Sequence, residues 1–109
     1  MDDWRRTLVD VETRTRDHNE WIEWANDTFD PRSEYEFLCE CSDERCTSTI
    51  SASREAYEEV RASPVSFLLA PNHENPELDE VVVENAVFAV IKKLPGGPAR
   101  LARETDPRA

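Results

Sequence analysis

A chain of 109 residues with 39% hydrophobic residues is the size of one domain with a modest core. Its 24 acidic and 13 basic residues leave a formal charge of −11, a poor match for nucleic-acid phosphate or an anionic membrane. Composition thereby excludes a membrane protein, a disulfide scaffold and a basic nucleic-acid binder, and argues against whole-chain disorder.

The opening MDDWRRTLVDVETR has no apolar core of secretory type and carries acids where a signal peptide carries bases, which predicts a cytoplasmic protein. Between Trp4 and Phe29, the positions Trp4, Leu8, Val11, Thr15, His18, Ile22, Ala25 and Phe29 recur at alternating spacings of four and three, the seam of one long helix. Pro31 and the restricted Asp30 before it predict a stop near Thr28 or Phe29. The seam could lie on the domain behind it, fold into a helical hairpin or pair with a second copy as a homodimer. Trp21 and Trp24 widen it in favour of docking, and His18 reads as a partly buried packing residue.

From Tyr35 the period becomes two. Tyr35, Phe37, Cys39 and Cys41 fall on one strand face, and Glu34, Glu36 and Glu40 on the other. The polar turn Ser42-Asp43-Glu44-Arg45 leads into Cys46 to Ser51 as a partner strand. Ser53 is placed as an N-cap, with Ala56, Tyr57, Val60 and Arg61 on a short amphipathic helix ending before Pro64. Val65 to Ala70 reads as a buried strand, and Pro71 to Pro76 as a loop that delivers His73. Val81 to Val83 and Val87 to Ile91 form a second hairpin, after which Pro95-Gly96-Gly97-Pro98 closes the sheet.

The fold class is therefore α+β: a long N-terminal helix (1–30), a ββαβββ core with a small antiparallel sheet (33–94) and a C-terminal tail (95–109). The tail is expected to be partly disordered beyond a few helical turns, fraying from Asp106.

Chemistry concentrates in Cys39-x-Cys41-x4-Cys46 and the distant His73. Three cysteines within eight residues of a reducing compartment point to metal or thiol chemistry rather than to structural disulfides. Zinc takes thiolate and imidazole donors in tetrahedral sets, and a closed Cys3His set leaves no position for a reactive water. The site is thus read as a structural zinc staple, with a thiol or redox role for Cys39, Cys41 and Cys46 as the alternative. No nucleophile and base arrangement, GxGxxG or Walker loop is present, so the reading leans away from an enzyme. The acids Glu34, Glu36, Glu40, Asp43, Glu58, Glu59, Asp79, Glu80 and Glu84 are taken as a solvated face rather than a catalytic pair.

The segments FLCECSDERC, EAYEEVRASP, FLLAPNHENPE and ETDPR resemble a group of small actinobacterial proteins with the pattern FVCEC-x4-C, EYE-x-VRADP, FLV-x-PGHE-x-PE and a closing ETDPR. NEWIEWAN in the first helix is similar to their NERI-x-ELN, so the likeness spans most of the chain. It implies that Cys39, Cys41, Cys46 and His73 belong to one site, and brings no activity or substrate with it. This chain departs from the pattern at SDER in the turn and at Asn72, where the group has Gly before the histidine. The function expected is a non-enzymatic, zinc-held cytoplasmic module that regulates or binds a protein partner, a basic one by charge.

Overall fold

The computed structural model describes residues 2–25 and 32–108. Phe29 and the expected helix stop lie outside them. Helix α1 (Asp3–Ala25) leads to β1 (Glu34–Leu38), β2 (Thr49–Ser53), α2 (Arg54–Arg61), β3 (Ser66–Leu69), β4 (Asp79–Glu84), β5 (Ala89–Lys93) and α3 (Gly97–Glu104). Among these residues the strands form an antiparallel β1–β2 hairpin and a three-stranded antiparallel sheet in the order β3-β5-β4. The α+β class and both hairpins follow the sequence reading.

The core forms where the alternation said it would. Phe37 opposes Ile50 across the hairpin and stacks on Tyr57 of α2 at 4.4 Å between ring centroids. All four residues of β3 are buried, and Phe67, Leu69, Ile91 and Ala89 continue the apolar layer into β5. Ser53 caps α2, its hydroxyl accepting from the Ala56 N–H at 3.0 Å. A smaller cluster of Val9, Leu78 and Leu101 joins α1 to α3. Gly96, at φ 103°, makes the turn into α3 with a backbone that a side chain would strain.

Helix α1 differs from the expected seam. The residues it buries are Val9, Glu12, Arg16, Asn19 and Glu23, with Val11 and Thr13 beside them, whereas Trp4, His18, Trp21, Trp24 and Ala25 are exposed. Val9, Glu12, Arg16, Asn19 and Glu23 each follow a seam residue by one, so the buried face is turned by about one residue, about 100°. Hydrogen bonding explains the turn. Arg16 donates to the carbonyls of Pro64 (2.7 Å) and Ala102 (3.0 Å) and lies over the Phe67 ring. Lys93, at the end of β5, reaches Glu12 and Asp79, each at 2.5 Å. Polar side chains with fixed partners thus cover more of this interface than the apolar stripe does.

Further corrections have the same origin. Glu40 and Asp79, expected in a solvated face, are buried, and Glu58 is half-buried; Glu34, Glu36, Asp43, Glu59, Glu80 and Glu84 are exposed as expected. The partner strand starts at Thr49 rather than Cys46, so Cys46 sits in the turn. The stretch expected to fray from Asp106 is held: Asp106 pairs with Arg61, and Arg108 bonds Glu20 and Glu58. Its guanidinium fork meets both carboxylates with parallel N–H donors, which fixes it better than a single ammonium contact would.

Candidate metal centre

The four sequence-predicted ligands meet in space. One donor atom from each of Cys39, Cys41, Cys46 and His73 lies within 4.8 Å of all the others. The Nδ1 atom of His73 is 3.5 Å from Cys39 Sγ and 3.6 Å from Cys46 Sγ. A tetrahedral ion with Zn–S bonds near ~2.3 Å separates its donors by about 3.8 Å, so the group needs only a small contraction to close on one. All three cysteines are free thiols. The Cys3His group can therefore hold a metal ion.

Each donor is placed by a distinct local device. Strand β1 ends at Leu38, but the ladder runs one residue further through the Cys39 N–H to the Ser48 carbonyl at 3.1 Å. Cys39 Sγ then accepts the Ala70 N–H at 3.1 Å, which ties the sulfur to the residue after β3. Asp43 makes the turn: its carboxylate accepts the Arg45 N–H at 2.9 Å and its carbonyl the Cys46 N–H at 3.0 Å, which brings Cys46 back to the group. His73 arrives on a tight turn closed by its own N–H to the Ala70 carbonyl at 3.2 Å. That turn needs Asn72 at φ 67°, a left-handed conformation that Asn tolerates better than other residues with a side chain.

The sequence reading missed Glu40 and Asn19. Glu40, between two ligands, is fully buried; its N–H donates to the Leu68 carbonyl at 2.8 Å and its carboxylate accepts the Leu68 N–H at 2.9 Å. Asn19 of α1 donates to the other Glu40 oxygen at 2.8 Å and to the Leu38 carbonyl at 2.9 Å, and accepts the Leu38 N–H at 2.8 Å. One carboxylate and one carboxamide thus lock α1, the end of β1 and β3 in the frame that aims Cys39 and Cys41. Strict alternation put Glu40 outside; the strand ends at Leu38, and β3 covers the side that alternation had left to solvent. The one sequence signal for it is an acid set between two ligands.

The electrostatics suit a thiolate site. The hydrogen bond from Cys39 pulls Cys41 down to about 5, and the same contact, with burial, pushes Cys39 well above its ordinary range, so one proton serves both sulfurs. The Asp43 backbone and the His73 and Cys46 side chains also favour a charged Cys41. Burial pushes Glu40 up to about 7, opposed by its bonds to Asn19 and Leu68.

Cys39 and Cys41 are buried, Cys46 is half-buried and His73 is exposed, so the group sits at the surface with its sulfurs inward. A cleft of about 360 Å³ between α1 and the turn, lined by Arg14, Thr15, His18, Glu44 and Cys46 among others, borders it. His18 is thus an exposed residue of this cleft rather than the packing residue expected, and it lies outside the ligand group. Among the described residues no helix is long and apolar enough to cross a membrane. Comparison of the chain with protein-family models, curated proteins and solved structures gives no match.

Proposed function

We propose that Cys39, Cys41, Cys46 and His73 hold one zinc ion as a structural staple, in a non-enzymatic cytoplasmic protein that works by binding a protein partner. The observation that carries this reading is the convergence of four soft or borderline donors, from two segments, within 4.8 Å. Zinc suits a Cys3His set, and four protein donors fill its tetrahedral shell, which favours a structural ion over a Lewis-acid catalyst. The staple ties the β1–β2 turn to the loop after β3, and metal binding then adds directly to the stability of a small core. The resemblance to the actinobacterial group supports treating the four ligands as one site. The regulatory reading rests on the charge of −11 and its exposed carboxylates, which steer a basic partner toward the surface.

The test is metal content of protein purified without added metal, paired with a free-thiol count before and after chelation. One zinc per chain, with all three thiols masked until the chelator is added, is the expected result. Metal-free protein with three freely reactive thiols overturns the staple and supports the thiol-redox alternative at Cys39, Cys41 and Cys46.

A further inference from the structure

The side of the molecule formed by α2 and the β4–β5 hairpin carries apolar surface that the fold does not use. Val82, Val83 and Val87 are 44%, 48% and 51% exposed, and none of them belongs to the hydrophobic core formed by the described residues. They border two cavities of about 400 and 410 Å³ that share Ala56 and Phe88 as walls, so the two form one groove. The first cavity lies between α2 and the open face of the sheet, over Val60 and Val90. The second continues past Phe88 toward Ala52 of β2. Strand β4 is the edge of its sheet and borders this groove through Val82 and Val83.

The rim is acidic. Glu59 lines the first cavity and Glu34 the second, and both are exposed. Among the described residues Lys92 is the one base lining either cavity, and Glu80 stands opposite it in the β4–β5 register. An apolar floor with an exposed carboxylate at each of its two cavities, on a chain of charge −11, selects an occupant with apolar side chains and flanking positive charge. A second copy of this chain brings another −11 and the same acidic rim to the contact, so charge disfavours self-pairing here.

We infer that this groove docks a segment of a partner protein in which apolar side chains are flanked by lysine or arginine. The inference rests on the protein-binding reading above and names the surface and the chemistry of the partner. Apolar side chains seat over Val60, Val90 and Phe88, and the flanking cations meet Glu34 and Glu59.

The experiment titrates the metal-loaded full chain into a fluorescein-labelled peptide of consecutive leucines flanked by lysines, read by anisotropy. Two controls accompany it: the same peptide with alanines for leucines, and one with glutamates for lysines. Saturable binding of the leucine–lysine peptide is expected, with each control weaker by about tenfold or more. The double variant Val83→Ser with Val87→Ser, and separately Glu34→Lys with Glu59→Lys, should each weaken binding by a similar factor. All four positions are exposed, and unchanged metal content and thermal melt certify that the variants are folded. Absence of saturable binding, equal affinity for the alanine peptide, or indifference to the valine substitutions overturns the proposal. Concentration-dependent dimerisation that Val83→Ser abolishes also overturns it, by giving the groove to a second copy. The two readings fail separately: a zinc-loaded chain that ignores the peptide sinks only the groove, and a metal-free chain that binds it sinks only the staple.

Discussion

Two regions hold this molecule together by opposite means. At the Cys3His group, four side chains from two segments converge on one point, each placed by a turn or a strand end. Along α1, the interface with the rest of the fold is a row of separate polar pairings: Glu12 with Lys93, Arg16 with two carbonyls, Asn19 with Leu38 and Glu40, and Glu20 with Arg61 and Arg108. The first region depends on one shared centre, and the second spreads its dependence over many bonds, each costly to leave half made. A small core can thus be supplemented either by concentrating donors or by satisfying buried charge.

The sharpest way to break the comparison is to remove a ligand. Cys41→Ala or Cys46→Ala is expected to lose the metal and the cooperative thermal melt, because apparent zinc affinities of about 10–16 kcal/mol match or exceed the whole stability of a domain this size. Chelation of the unmodified protein should do the same. A variant that keeps its melt with no metal would show that the apolar core and the α1 interface hold the fold without the ion.

The next largest effect belongs to Lys93. It is 4% exposed, between Glu12 at 0% and Asp79 at 7%, with its ammonium 5.3 Å from the centre of the Phe67 ring. Lys93→Met should destabilise by about 3–5 kcal/mol in urea unfolding, since it strands two carboxyls in the interior. If Asp79→Asn added to Lys93→Met recovers most of that loss, the cost lies in unpaired charge rather than in packing.

Glu12 gives a pH signature. Burial, opposed by Lys93, pushes its carboxyl up to about 8 from an ordinary 4.5, which favours the protonated acid in the folded state. A raised folded pKa means the native chain holds a proton that the unfolded chain gives up. Its stabilising contribution is complete below 4.5 and lost as pH rises toward 8. Stability of the unmodified protein should therefore fall across that window relative to Glu12→Gln, measured by urea unfolding at matched metal content. Equal slopes for the two proteins would show that Glu12 is ionised in both states.

The smallest effect is expected at the surface. Arg108 bonds Glu20 and Glu58 with its side chain one-third exposed, and such pairs contribute about 1 kcal/mol or less. Arg108→Ala should lower the melting temperature by a few degrees and lose that difference in high salt. A larger, salt-independent loss would move this pair into the class of the buried interface.

Legibility in the sequence divides along the same line. The hairpins, the Ser53 cap, buried β3 and the grouping of Cys39, Cys41, Cys46 and His73 were readable because each follows from short-range rules: alternation, capping, turn chemistry and donor type. The rotation of α1 was not, because a seam written in Trp4, Leu8, Val11 and Ile22 carries no mark that Glu12 and Arg16 have partners 81 and 86 residues away. Glu40 was misplaced for a related reason: alternation holds only while the strand lasts, and it stops at Leu38. Asp106 and Arg108 read as a loose end because their partners, Arg61, Glu20 and Glu58, lie on two distant helices.

The spacing of the ligands also sets an order of events when the chain is made. Cys39, Cys41 and Cys46 leave the ribosome together, and His73 follows Cys46 by 27 residues. At about 5–20 residues per second, the three sulfurs wait roughly one to five seconds for their fourth partner, and α2 and β3 are synthesised in that interval. During it the turn carries three of the four donors, a half-built claw. The Ala70 amide that grips Cys39 is also made only after β3, so the claw closes on its target when the neighbouring strand is in hand.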